Sequence, residues 1–409
     1  MSVHRNPCVV APEVVMSFEQ LSLLPSLVAS LKEQAITAPT DIQARALPVL
    51  LEGKSVVGVA ETGSGKTLTY VLPMLHHLKS LELRGAGATK PASSKPPVQH
   101  KDKKRKSRGP GVSLPGRPRG LVLVPARELG EQVCRVFKSL THSTRLRVRS
   151  VLGGSKKQVA RRNVAGAFEI LVATPGRLVH LLDGGELRLD DVRMLVFDEA
   201  DQLLDPGFRR VAMRIIDACP RAAQLALFSA TLPEPLASSV LQLFRKPPVR
   251  IRSKGSRHLV RTLKTVNRTV VGGVRIDILR ELFHKDAATA TLLFSNTRRQ
   301  CDEVSGWLND LGIAHVVYRG EMDRIERRAN LKRFRNGEVL VLLTTDLGGR
   351  GLDIAQIGRI INVHLPQDID NYRHRVGRTA RAGREGLVVN LVTGRDQPLM
   401  KEIKRLQSP

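Results

Sequence analysis

The chain has 409 residues, with 66 Lys and Arg against 38 Asp and Glu, for a formal net charge of +28 and a sequence pI near 10.8. That length predicts two domains rather than one core, and the charge excess predicts a polyanionic partner, of which nucleic acid is the commonest. No apolar run is long enough to cross a membrane, and no basic amphipathic helix with Trp or Phe argues for a membrane surface. Cys8, Cys134, Cys219 and Cys301 lack metal-ligand spacing and read as reduced thiols. No charged-then-apolar secretory signal opens the sequence, so an intracellular protein is expected.

Residues 1–16 read as a short N-terminal extension. From Phe18, Leu21, Leu24, Leu27, Val28 and Leu31 recur at helical spacing, and Ala38-Pro39-Thr40 is a turn into a second helix that begins near Ile42-Gln43. The apolar run Ser55–Val59 then leads into Ala60-Glu61-Thr62-Gly63-Ser64-Gly65-Lys66-Thr67 and a periodic stretch, Leu68 to Leu78. Strand, glycine-bearing loop and helix are the context of a phosphate-binding loop: backbone N–H groups wrap phosphate, Lys66 reaches the outer phosphates, and the Thr67 hydroxyl suits Mg²⁺. A Gly/Ser turn with an exposed lysine is the competing reading, and the full spacing with both flanks argues against it.

Residues 79–119 change character. They hold 12 Lys/Arg against 2 Asp/Glu, including Lys103-Lys104-Arg105-Lys106, and read as a disordered basic insertion. That run suits either a nuclear-import signal or a nucleic-acid patch.

Strand–helix alternation then resumes. Gly120–Val124 leads into Pro125-Ala126-Arg127-Glu128-Leu129, Val148–Leu152 ends at Gly153-Gly154, and Glu169–Ala173 ends at Thr174-Pro175-Gly176-Arg177. Met194–Phe197 ends at Asp198-Glu199-Ala200-Asp201, and Leu225–Phe228 at Ser229-Ala230-Thr231. In an open parallel sheet such strand ends share one edge, where ligands bind. Asp198 and Glu199 supply the metal carboxylate and the water-placing group that triphosphate hydrolysis needs.

Residues 250–262 are basic, broken by Gly255, and read as a linker between domains 17–249 and 263–409. A second alternation follows, with strands near Thr291–Phe294, Ala314–Val317, Val339–Leu343, Arg359–Val363 and Leu387–Leu391. Arg378 and Arg381, three apart, are expected on one helical face as phosphate-binding cations.

In order, Gln43, AETGSGKT, PAREL, Gly153-Gly154, TPGR, DEAD, SAT, TDLGGRGLD and HRVGRTAR resemble the motif series of the DEAD-box RNA helicases, from about Phe18 to Arg381. The resemblance implies an α/β fold of two RecA-like domains, each a mostly parallel sheet flanked by helices, with ATP, Mg²⁺ and RNA at the cleft. It implies that Gln43 reads adenine, supported by Phe18, and that Thr62, Gly63, Ser64, Gly65, Lys66 and Thr67 hold the phosphates and metal, with Asp353 at the ribose. Lys66, Asp198, Glu199, Arg378 and Arg381 would be catalytic, with Thr67 and Asp198 at the metal. Asp201, Ser229, Thr231 and His374 would couple hydrolysis to RNA. RNA contacts would come from Arg127, Gly154, Thr174, Gly176, Arg177, Thr297, Arg327 and Thr345.

The chain departs from the family pattern at several points. Ile36 stands for an aromatic, Glu61 for a Gln, Arg324 for a Gln, Gly348-Gly349 for Ala-type residues, and Ala380 for a Gly. The expected activity is ATP-dependent opening of short RNA duplexes or remodelling of ribonucleoprotein by a monomer. An RNA-dependent ATPase clamp and a DNA helicase are the alternatives. The basicity suits an abundant structured RNA such as ribosomal RNA. Nucleus, nucleolus, cytoplasm and mitochondrion are all open as compartments, and ribonucleoprotein factors as partners.

Overall fold

The computed structural model describes residues 17–61, 63–84, 114–154, 157–204, 206–232, 240–253, 263–320, 322–346, 357–380 and 385–407. Within them the chain builds two wholly parallel sheets. The first contains β1 (Val56–Val59), β2 (Gly120–Leu123), β3 (Val148–Val151), β4 (Ile170–Ala173), β5 (Met194–Asp198), β6 (Gln224–Ser229) and β7 (Val249–Arg252). Their order is β3-β4-β2-β5-β6-β1-β7. The second contains β8 (Leu263–Thr269), β9 (Thr291–Ser295), β10 (Val316–Tyr318), β11 (Val341–Thr345), β12 (Arg359–Asn362) and β13 (Gly386–Val392), in the order β10-β11-β9-β12-β13-β8.

The inner strands are buried nearly end to end and mostly apolar because both of their faces are covered. Leu121 and Leu123 point into one core layer and Val122 and Val124 into the other. Leu292 and Phe294 are likewise separated from Leu293 in the second sheet. This period of two, inside a continuous apolar run, places helices on both sides of each sheet.

Four expectations need correction. Residues 250–252 are not linker: they belong to β7, which pairs with β1 in register Val56↔Val249 to Val59↔Arg252. β8 begins where the linker was expected to end and pairs along β13 from Gly386↔Leu263 to Val392↔Thr269. Both are edge strands, and their half-polar sequences, VRIR and LKTVNRT, hide them from a search for apolar runs. At the basic insertion, the helix Lys66–Leu83 takes in residues 79–83. At its other end Pro115 bridges Ala167, and Arg119 is buried with its N–H on Glu169 O at 2.8 Å. Residues 85–113, with eight Lys/Arg against one Asp, lie outside the described residues, as do 1–16 and 254–262. Lastly, the helix Ile369–Val376 ends before Arg378, which therefore sits in the following turn rather than on a helical face.

Candidate functional site

Strand order decides which loops meet. β5, β6 and β1 are neighbours, with Asp198 beside Phe228 and Ser229 beside Val59 in register. The phosphate-loop segment, the DEAD segment and the SAT segment thus leave the sheet side by side. The strands β3, β4 and β2 form the other part of the sheet, so Gly153-Gly154, Thr174 and Arg127 cluster separately along the same edge.

In the loop, Gly63 (φ +86°) and Gly65 (φ +90°) take left-handed conformations, and a Cβ at Gly65 would collide with the Gln43 amide. Lys66 Nζ donates to Ala60 O at 2.6 Å and Glu61 O at 2.9 Å. Burial lowers its pKa and Arg378 adds to that, against the pull of Asp198, Glu199 and Asp201. Charges from both domains therefore converge on this one ammonium.

Asp198 is 3% exposed; Tyr70 donates its hydroxyl to Oδ2 at 2.7 Å, and the Glu199 N–H donates to Oδ1 at 3.0 Å. Burial first, then the neighbouring Glu199, pushes the Asp198 carboxyl up to about 6. Thr67 lies beside the same Tyr70 hydroxyl. Glu199 occupies the left-handed region (φ 54°, ψ 54°), a strain costing about 1–3 kcal/mol that clusters at functional sites. Gln202 Nε2 donates to its carboxylate at 2.8 Å.

Among the described residues, no three His, Cys, Asp or Glu are grouped to hold a metal ion by themselves. One buried carboxylate beside a threonine hydroxyl, next to a loop whose glycines leave room for phosphate, fits a Mg²⁺ that takes its remaining oxygens from phosphates and water.

Asp201 Oδ2 accepts the Thr231 hydroxyl at 3.0 Å and meets His374 Nε2 of the second domain at 3.2 Å. Burial alone would raise the Asp201 carboxyl. Hydrogen bonds from His374, Thr231 and Ser229, with the imidazole's charge, outweigh it and hold the carboxyl below its usual range. The Ser229 hydroxyl donates to Thr231 O and accepts the Thr231 N–H at 3.2 Å. Arg378, 4% exposed, donates Nε to His374 O at 3.1 Å.

Gln43, 2% exposed, donates Nε2 to Gly65 O at 3.0 Å and accepts the Thr40 N–H on Oε1 at 3.0 Å. One N–H and one lone pair of its amide remain for a base. Phe18 is a core residue, 2% exposed, in the same apolar cluster as Leu21 and Leu27. Ile36 packs against the same core.

On the other part of the edge, Arg127 Nη1 donates to Gly153 O at 3.3 Å and the Thr174 hydroxyl accepts the Gly153 N–H at 2.9 Å. Gly154 has φ +73°. Thr174 is the N-cap of the helix Pro175–Asp183, so Gly176 and Arg177 carry first-turn N–H groups of the kind that bind phosphate. In the second sheet, Thr345 and Ser295 are paired in register, and Thr297 caps the helix Arg298–Asp310 by accepting the Gln300 N–H at 3.2 Å. Arg327 departs from its expected place. Its guanidinium pairs with Glu128 of the first domain and lies 5.4 Å over the Tyr318 ring, so it ties the domains together. Thr62, Asp353, Arg381 and Gly348-Gly349 lie outside the described residues, as does the Arg324 side chain.

Sequence reasoning missed Glu128, Tyr70 and Arg375. Arg375, 1% exposed, spans the ends of three strands: Nη2 donates to Asn296 Oδ1 at 2.6 Å and Asp346 Oδ2 at 2.7 Å, and Nη1 to His364 O at 2.6 Å. Its signal was its place inside HRVGRTAR, and that of Glu128 its place inside PAREL; Tyr70 carried none beyond following the phosphate-loop segment.

The DEAD/DEAH box helicase family profile matches residues 40–239, and that of the helicase conserved C-terminal domain matches 274–383. The chain is 31% identical over 400 residues to the ATP-dependent RNA helicase eIF4A of Kluyveromyces lactis, covering 97% of this chain and 92% of that protein. It is 34% identical over 403 residues to the ATP-dependent RNA helicase SrmB of Escherichia coli, covering 96% and 82%. The structure of S. cerevisiae Dbp5 bound to RNA and ADP BeF3 superposes with a TM-score of 0.79 at 25% identity, covering 95% of this chain and 93% of that one. With both halves matched in order and the nucleotide-site segments converging at one sheet edge, the chain belongs to the DEAD/DEAH box helicase family.

Proposed function

We infer that this protein is an ATP-dependent RNA helicase whose ATP hydrolysis is governed by closure of its two domains on RNA. The observation that carries this reading is the shared Asp201 carboxylate: it joins the DEAD segment, the SAT segment through Thr231, and His374 of the second domain. Domain closure brings the His374 contact, and with it Arg378, to the side of Lys66. Hydrolysis then depends on an arrangement that neither domain holds alone.

Within that arrangement, Glu199 orients the attacking water and Lys66 and Arg378 balance the charge on the phosphates. Thr67 and Asp198 would hold Mg²⁺, which would supply charge neutralisation for the phosphates. Gln43 offers a donor and an acceptor to the adenine edge. Arg127, Gly154, Thr174, Gly176 and Arg177 line a backbone-binding track continued by Thr297 and Thr345. Arg327 and Glu128 close that track between the domains. Such contacts read phosphate and sugar rather than base sequence. On this reading the protein works inside the cell as a monomer, on structured RNA or ribonucleoprotein.

The test is ATPase activity with and without single-stranded RNA, beside displacement of a short RNA duplex. RNA stimulation with ATP-dependent displacement is expected. Stimulation without displacement would make the protein a clamp, and stimulation by DNA alone would reassign it to the DNA helicases.

A further inference from the structure

At the end of the first sheet opposite the nucleotide, where β1, β6 and β7 begin, lies a cavity of about 750 Å³, within the ~300–1,000 Å³ range of ligand pockets. Its floor is apolar: Cys219 and Leu243 are each 6% exposed and Leu225 7%, with Phe244 at one side. Burial pushes the Cys219 thiol up to about 12 despite the nearby Arg245, in keeping with a dry floor. The rim is cationic: Lys54, Arg221, Arg245 and Lys246 stand around the opening, all exposed, and among the described residues no Asp or Glu lines the cavity. Lys54 shares the exposed Glu52 at 2.6 Å. Arg221, Arg245 and Lys246 have no carboxylate partner among the described residues.

The walls are held in place. Gln224 Nε2 donates to Leu50 O at 2.9 Å and Lys54 O at 2.8 Å. Ser55 accepts the Leu225 N–H on Oγ at 3.1 Å and the Val249 N–H on its carbonyl at 2.9 Å. A pocket built this way loses little entropy on binding.

We propose that this cavity docks an acidic peptide segment of a partner protein, with one large apolar side chain on the floor and its flanking carboxylates on the basic rim. Nucleic acid fits less well, because a phosphodiester chain has no apolar group to fill the floor. The cavity also lies at the far ends of the strands from Arg127, Gly154 and Thr174, away from the track assigned to RNA. Charge complementarity selects the partner's sign and the floor selects its anchor.

The test uses the full chain, saturated with single-stranded RNA and a non-hydrolysable ATP analogue so that the RNA track is filled. The probe is a fluorescein-labelled peptide with a central Phe-Leu pair flanked on both sides by glutamates, followed by anisotropy. Saturable binding is expected, weakened at least about tenfold by Arg245→Glu combined with Lys246→Glu, and similarly by replacing Phe-Leu with Ser-Ser in the peptide. RNA-stimulated ATPase of the double variant should match the parent, since neither residue is near the catalytic edge. Equal binding by parent and variant, equal binding of the Ser-Ser peptide, or no binding below about 1 mM would overturn the proposal. So would an RNA probe that loses affinity with the same two substitutions, which would assign the face to nucleic acid.

Discussion

His374 Nε2 of the second domain and Thr231 Oγ1 of the first both meet one oxygen of Asp201, at 3.2 and 3.0 Å. No other carboxylate in the described structure receives the DEAD, SAT and HRVGR segments together. His374→Ala removes the only one of the three that comes from the other domain. Losing a hydrogen bond to a charged group costs about 1.5–3 kcal/mol. The ratio of RNA-stimulated to RNA-free ATPase should therefore fall by roughly 10- to 100-fold. An unchanged ratio would remove this contact from the coupling.

Glu199→Gln keeps the shape of the side chain and its bond to Gln202 but removes the carboxylate that orients water. Turnover at saturating ATP and RNA should drop by about 10²–10⁴. ATP and RNA binding, measured by anisotropy, should persist together, because Lys66, Asp198 and Arg378 are untouched. Parental turnover in the variant would exclude Glu199 from the chemistry.

Gln43 has two duties, so its removal has two readouts. Its free amide positions discriminate the base, and a buried polar group left unpaired penalises the wrong one. ATP should be used well ahead of GTP, and Gln43→Ala should erase most of that preference. The same change frees Gly65 O and uncaps the Thr40 N–H, so thermal stability should fall by about 1 kcal/mol. Equal use of ATP and GTP by the unmutated protein contradicts the assignment.

Ala380 stands at φ +55°, in the left-handed region that favours glycine. A Cβ there costs about 1–2 kcal/mol, of which the greater unfolded-state freedom of glycine returns about 0.4–1. Ala380→Gly should stabilise the protein by about 0.5–1 kcal/mol, read from urea unfolding. Destabilisation would mean that the methyl group, only 6% exposed, contributes more by packing than it costs in strain.

Residues 85–113 carry eight Lys/Arg and one Asp between the helix ending at Leu83 and the packed segment at Pro115. Each phosphate neutralised on a single strand contributes about −0.7 to the slope of log K against log salt. With about half the charges engaged, replacing this segment by a Gly-Ser link should flatten the slope by about 2 to 3 units. ATPase at saturating RNA should stay near the parental rate. Identical slopes before and after deletion would make the segment a surface loop without a role in RNA binding.

Much of the site was legible in the sequence because its chemistry is local. Ala60 to Thr67, Asp198 to Asp201 and Ser229 to Thr231 are contiguous segments at the ends of apolar runs, and such runs are strands whose two faces are both covered. What the chain order does not contain is adjacency. Only the lateral order of the parallel strands puts Val59 beside Ser229 and Asp198 beside Phe228, while Arg127, Gly154 and Thr174 gather on the other part of the sheet. The edge strands β7 and β8 were hidden for a related reason: with one side open to solvent, they are not required to be apolar. Tertiary packing also turned Phe18 into a core residue, paired Arg327 with Glu128 and carried Arg378 beyond its helix to Lys66. The Arg327–Glu128 pair and the approach of Arg378 to Lys66 depend on how two domains meet, through side chains far apart in the chain (199 residues for Arg327 and Glu128), whose pairing leaves no periodicity to read.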